Sequence, residues 1–576
     1  MKKGVIISIA VLLVAAALVY FLILNKNLSD QIALPYISHE KPKIDPHVMS
    51  SVPIGDKLDE VIFDGIFNVS ANKSGIVFED GLGELMGIDL GNIVRIRLKP
   101  KKIWHRSYRV TMEKKKVTVT PAEEVRFTAK DLKFTLRRIQ TLSSLSPDYI
   151  LVSQAIADFD FTGPDENNEI RFQFRPDRIW TESDIKEVLS FKVLPAQSDM
   201  AAPAYENGTG PYLKAGEYED AIYFHKHPAE PARITTTVLK PFIDNSTFIT
   251  ELRNRNINSL LSTPFGALSP MLSDSNEYFY KSNVSTCFFA LLFNTERMSL
   301  EKRMAVRNLI NNEKILRRFF RIGTEQQRHI ANYKGDKNNY VDYLNYSLFP
   351  SSSYYIEEQI VMPVKERAAP DLSLLTDTVR IQTCLQYDNR EELAELMDIL
   401  NDPAITLGKI KTVAVNNESM AKGEYDAVLV PVTGYRSNFL FDLYALFLRE
   451  PDFSVYQINL LTLADSKTGA LSVDPSSFRA DKNFFRLDLA SAPANQADIK
   501  ALLEDVYGFM STHEIGDKQA YARRVDELDQ KLALGVWLFS LPSLSYFSRQ
   551  FDERSIQLFG TASQLSTIEK WREKEE

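Results

Sequence analysis

The chain is poor in cysteine and histidine. Two cysteines in 576 residues exclude a disulfide scaffold and any zinc site built from four thiolates. The seven histidines are scattered, and none falls in an HExxH pattern. Positive charge is not in excess. There are 68 Lys plus Arg against 76 Asp plus Glu, a net charge of −8, whereas nucleic-acid binding needs a dense basic face. Internal repeats, low-complexity tracts and long Gly/Ser linkers are absent, and so are the G-x-S-x-G, zincin and paired-carboxylate patterns of hydrolases. What remains is an ordinary folded composition, 44% apolar and 25% charged. A chain this long makes roughly two to four domains.

One long apolar run is present. After Met1-Lys2-Lys3, the stretch Gly4–Leu24 has 21 residues without a charge. As a helix it is about 31 Å long, enough for a hydrocarbon core of roughly 30 Å. Ala15-Ala16-Ala17 imitates a signal-peptide cleavage site, but Leu18 to Leu24 continues the run beyond it. Residues 1–28 therefore read as a cytoplasmic start and an uncleaved transmembrane signal anchor, with the bulk of the chain in the periplasm or on the outer face. In that compartment Cys287 and Cys384 have two readings, a bridge within one lobe or two buried thiols in strands.

Beyond a polar tether over 26–50, strand and helix signals alternate. Ile93–Leu98 and Ile170–Phe174 alternate apolar and polar residues, as half-buried strands do. Tyr108–Met112 and Val117–Thr120 predict a hairpin around Lys114-Lys115-Lys116, a lysine run read as a solvated turn. Thr128-Ala129-Lys130-Asp131 has the spacing of a helix cap, with Leu132, Leu136 and Ile139 following on one face. A second helix starts at Ser299, with Val306, Leu309, Ile310, Leu316 and Phe319 as its apolar stripe and Arg303, Arg307, Lys314 and Arg317 on other faces. A third covers about 390–400. Mixed strands and helices throughout argue for an α/β architecture.

Several segments resemble the extracellular solute-binding proteins of peptide, dipeptide and nickel ABC importers, family 5. Val125–Ile139 resembles the signature F-T-A-E-D-V-x-F-S-L-x-R, and Ile96–Lys99 resembles the strand before it. Asn207–Tyr212 contains the family's G-T-G-P-Y turn. Phe293-Asn294-Thr295 followed by Glu301–Arg307 resembles its F-N strand and R-V-R helix, and Glu424-Tyr425-Asp426 its G-x-Y-D. The matches keep the family's order over about 58–550. The resemblance implies a bilobal periplasmic-binding-protein-like fold of the large peptide-binding class. A first lobe of 29–285 plus 485–576 includes an extra subdomain at about 75–190, and a second lobe covers 286–484. The chain crosses between the lobes twice, and hinge closure captures the ligand. The implied protein is a monomer that does no chemistry, needs no cofactor or metal, and works with ABC permease subunits of the inner membrane.

The chain also departs from the family. Relatives are lipid-anchored or free, whereas this chain carries an anchor. The connection between Trp104 and Val125 is longer than the family's. Where peptide-binding relatives have W-x-A-D-Y-x-D-P, with an Asp for the peptide α-ammonium, this chain reads Val430 to Phe439 with Tyr435 and Arg436 and no carboxylate. A buried ammonium needs an opposite charge. Arg436 instead offers a planar fork for a carboxylate or phosphate, or is an exposed loop arginine. Tyr435, Arg436, Trp104 and His105 are the candidate ligand-binding residues. His225 and His227, at i and i+2, read as ordinary strand residues or as part of a metal site. Two functions follow: capture of a peptide or related small solute for an importer, or a non-transporting interaction or sensory module of the envelope.

Overall fold

The computed structural model describes residues 30–576 except 39–40, 43, 49–53, 73–74, 143–145, 177–179, 199–206, 230–231, 255, 264–276, 325–342, 349–367, 386–389, 433–482, 488–495, 512–514, 559–564 and 575–576. It is a mixed α/β structure organised around three main apolar cores.

The first core lies on a four-stranded sheet. Its order is β1 (Gln31–Ile37), β12 (Thr236–Phe242), β11 (Ala221–Lys226) and β10 (Tyr212–Tyr218). β1 runs parallel to β12, and the other pairs are antiparallel. The helix Ile54–Ile62 turns Ile54, Leu58, Val61 and Ile62 onto this core, and the C-terminal residues Phe551, Ile556, Leu565 and Trp571 close it.

The second core is drawn from residues between Ile66 and Val193. A sheet of β4 (Gly83–Asp89), β5 (Ile93–Leu98), β9 (Glu169–Phe174) and β8 (Ile156–Thr162) is covered by the helices Ala129–Leu142, Pro147–Ala155 and Glu182–Val188. β5 and β9 alternate buried and more exposed residues, as their sequences predict. Asp131 accepts from Thr128 N at 2.7 Å, half of the reciprocal cap that the spacing suggests. A two-stranded ribbon, β2 (Phe67–Asn72) with β3 (Gly75–Asp80), lies beside it. The predicted hairpin forms as β6 (Tyr108–Glu113) and β7 (Lys116–Pro121), with Lys114 at φ 55° in the turn.

The third core lies on a six-stranded sheet of order β13 (Ser259–Thr263), β18 (Gly535–Ser548), β14 (Tyr278–Phe293), β17 (Ala427–Val432), β15 (Val379–Thr383) and β16 (Ile410–Ala414). The Ser299 helix is two helices, Leu300–Leu309 and Asn312–Phe319. Asn311 caps the second by accepting from Lys314 N, and the buried Asn312 donates to the carbonyls of Asn345 and Trp537. Arg303 and Arg307, expected on other faces than the apolar stripe, are buried. Arg303 donates to the carbonyls of Ala533, Leu532 and Met298. Arg307 holds Asp529 with two bonds of 2.9 and 3.0 Å. Both guanidinium groups thus neutralise the carboxyl end of the helix Ile515–Leu532. Cys384, just past β15, is buried, and the side chain of Cys287 lies outside the described residues. No helix among the described residues is long and apolar enough to cross a membrane, and the run 4–24 lies outside them.

Candidate ligand cleft at the hinge ribbon

β14 and β18 are the longest strands, with 16 and 14 residues, and they pair with each other from end to end. At the base of this ribbon Phe279 and Phe547 stack at 5.8 Å in the first core. The third core lies along the whole ribbon, through Tyr278 and Tyr546 at the base and through Phe289, Leu291, Phe293, Leu538 and Phe539 at the far end. Between them the register slips. Val284 faces Pro542 and Phe288 faces Ser540, so β14 uses four steps where β18 uses two. Around the slip the sequences Lys281-Ser282-Asn283 and Ser543-Leu544-Ser545 are largely polar. A bulge bends a strand pair and interrupts its ladder.

The parallel strands of the third core point their carboxyl ends at this slip. Thr383 of β15 is level with Ala414 of β16, and β17 ends at Val432 opposite Phe288. Ligands of open α/β sheets bind outside the carboxyl ends of the strands. The candidate cleft is therefore the space bordered by the middle of the ribbon and by the segments after Thr383, Ala414 and Val432. Tyr435 and Arg436 follow Val432 by three and four residues and lie outside the described residues.

The motifs read separately in the sequence meet behind this cleft. Asn294 donates through Nδ2 to the carbonyls of Gly423 and Tyr425 at 3.1 and 2.9 Å, and its backbone N–H bonds Asp426 O. Asp426 accepts from Arg380 N at 2.9 Å. The F-N and Y-D signatures are thus two sides of one joint that locks β14, β17 and β15 together. Sequence reasoning found both motifs but not their contact.

Trp104 and His105 lie at another joint, between the first and second cores, and both are buried. Trp104 packs in the second core. His105 grips the G-T-G-P-Y turn: its Nδ1 accepts from Gly208 N at 3.2 Å, and its Nε2 donates to Gly210 O at 2.9 Å. The ring is therefore neutral, and burial lowers its pKa to about 4. His227 stands 5.8 Å away, ring to ring, and burial lowers it to about 4 as well. Gly208 has no room for a side chain, because a Cβ there would lie 1.8 Å from Ile62 O. Among the described residues no group of three or more His, Cys, Asp or Glu could hold a metal ion.

A second buried network fixes the first-core loop to the signature helix. Arg138 bonds both oxygens of Asp45, at 2.9 and 2.7 Å, and meets His47 Nδ1 at 2.9 Å. His47 Nε2 donates to Lys192 O, and Lys192 pairs with Glu60 at 2.8 Å. Arg138 stands where the signature resembled in Val125–Ile139 ends in arginine.

Solved structures share this fold over nearly the whole chain. NikZ from Campylobacter jejuni in complex with Ni(L-His) is 14% identical, with a TM-score of 0.62, over 95% of this chain and 100% of its own. A dipeptide binding protein from Pseudoalteromonas sp. SM9913 in complex with Met-Leu is 17% identical, with a TM-score of 0.62, over 94% of this chain and 100% of its own. The oligopeptide-binding protein AppA from Bacillus subtilis in complex with a nonapeptide is 14% identical, with a TM-score of 0.57, over 95% and 99%. No family model and no curated protein matches the chain. The chain has the mixed α/β fold of these proteins.

Proposed function

We propose that the chain is a membrane-anchored solute-binding protein that captures a peptide or related small solute between two lobes, does no chemistry itself, and serves ABC permease subunits. The observation that carries this reading is the bulged two-strand ribbon, the kind of sparse connection about which two packed bodies rotate. The fold shared with peptide- and Ni(L-His)-bound proteins supports it. On this reading the first crossing lies at 284–288 and the second at 540–542. We place the second crossing after the expected boundary at 485, since Arg303 and Arg307 bond the end of the helix Ile515–Leu532. Tyr435 and Arg436 reach the cleft from Val432, since four residues span at most about 14 Å. Arg436 recognises an anionic group of the ligand, and the missing carboxylate disfavours a free peptide N-terminus. Trp104 and His105 contribute by holding the first-lobe wall rather than by touching ligand.

A thermal-shift screen of a soluble fragment starting near residue 29 tests this. It covers di-, tri- and oligopeptides, phospho- and acyl-anions, sugars and Ni²⁺ complexes. A ligand at 100 times its dissociation constant adds about 2.7 kcal/mol. A shift with one class that disappears in Arg436→Ala supports capture at the hinge. No shift with any class favours the second reading, a non-transporting envelope module, to which the anchor and the absent carboxylate already point.

A further inference from the structure

The position of the proposed anchor relative to the ribbon has a geometric consequence. The apolar run ends at Leu24 and β1 begins at Gln31, so six residues, Asn25–Asp30, separate them. Six residues reach at most about 20 Å. Their last member is held in the first sheet: Thr235 and Thr236 both donate backbone N–H to Asp30 O, at 2.7 and 3.1 Å. Gln31 is also tied to the base of the ribbon. Asn258 donates through Nδ2 to Gln31 O at 2.6 Å and accepts from Ala33 N at 2.9 Å, while Ser548 N bonds Asn258 O at 2.8 Å. The tether therefore emerges where β14 begins and β18 ends. β14 then runs 16 residues, about 50 Å, away from that point to its pairing with β17.

We propose that this end of the first lobe is the surface that lies against the bilayer headgroups, and that the second lobe is held membrane-distal on the ribbon. The inference rests on the anchored reading above. The tether is less than half the length of the ribbon, so the anchor fixes which lobe stands near the membrane. Charge at this end is compatible with anionic headgroups. Lys226, Arg233 and Arg549 lie at this end, as do Asp30 and Glu277. The placement follows from the bonds: Lys226 Nζ donates to Ala232 O in the turn that holds Thr235, and Arg549 N bonds Glu277 O beside Ser548. Arg233, Arg549 and Glu277 are exposed. A fixed first lobe and a distal second lobe also mean that ligand capture swings the second lobe over a stationary partner.

The test uses the full chain in nanodiscs of phosphatidylcholine and phosphatidylglycerol with an acceptor dye on the headgroups. Donors are placed singly at Arg233→Cys, Arg549→Cys and Lys411→Cys, on a background with Cys287→Ser and Cys384→Ala. Lys411 is exposed on β16, the edge of the third core's sheet. Transfer from positions 233 and 549 is expected to be several-fold stronger than from 411. A long Gly/Ser insertion between residues 28 and 30 is expected to reduce that difference. Equal transfer from all three positions in an anchored chain means that the molecule lies flat, and it overturns the orientation while leaving the anchor intact. Stronger transfer from 411 also overturns it. Release of the chain from membranes by alkaline carbonate overturns the anchored reading and the orientation with it.

Discussion

The turn Asn207–Pro211 and the middle of the β14–β18 ribbon both join two cores, and they are built in opposite ways. The turn is clamped. His105 holds it with both ring nitrogens, its own N–H bonds Gly208 O, Gly210 N bonds Ile62 O, and no side chain fits at Gly208. The ribbon is two strands with a slipped register at its centre. One joint stores its stability in close backbone approach, and the other gives up ladder bonds between Val284 and Phe288. On the proposed function, motion belongs to the ribbon.

The largest effect that would break this comparison is on the second-lobe side. Arg307→Ala leaves the fully buried Asp529 without its cation, and breaking such a pair costs about 3–5 kcal/mol. Denaturant unfolding of the fragment reads this loss, and a neutral result would show that the helix Ile515–Leu532 is not held as described. Gly208→Ala comes next. A methyl group there collides with Ile62 O, so either the backbone shifts or the joint opens, at a cost of about 1–3 kcal/mol or more. The same substitution at Gly516, which has open space around it, serves as the control.

Two pH experiments sharpen the contrast, because His105 at the turn and Asp526 on the helix Ile515–Leu532 titrate with opposite sign. His105 is depressed by burial to about 4. Its folded pKa lies below the unfolded value, so its contribution is complete above pH ~6.5 and is lost as pH falls toward 4, by about 3 kcal/mol. His105→Gln should flatten that acid limb. Asp526, on the helix Ile515–Leu532, is raised to about 6, first by burial and also by the neighbouring Asp529. Its contribution is present below pH ~4 and lost as pH rises through about 6, worth roughly 2–3 kcal/mol. Asp526→Asn should therefore stabilise the protein at pH 7 and not at pH 4. Stability profiles of both variants between pH 4 and 8 check these signs. The smallest effect is at neither joint. Leu90 is 97% exposed at a hairpin tip, and Leu90→Ser should change stability by less than about 0.5 kcal/mol.

Much of the local structure was legible because it repeats at short range. The alternation in β5 and β9, the Thr128–Asp131 cap and the hairpin around Lys114 are all set by residues within a few positions of each other. The break at Asn311 was not, since the apolar stripe continues through it and only the distant carbonyls of Asn345 and Trp537 draw Asn312 inward. Arg303 and Arg307 read as polar-face residues because their partners lie more than two hundred positions away. Trp104 and His105 were legible as marked residues, but burial at the turn could not be read from them.

By itself the sequence determined the element types, the apolar run that proposes an anchor, and the motifs that point to a binding-protein fold. These depend on periodicity, capping and chain-local chemistry, all carried by neighbouring residues. Only the tertiary structure decided that the F-N and Y-D motifs form one joint, that the glycine turn is clamped by a neutral histidine, and that β14 and β18 pair in one slipped ribbon. Those features depend on strand register and on close packing between distant segments, which no local pattern encodes.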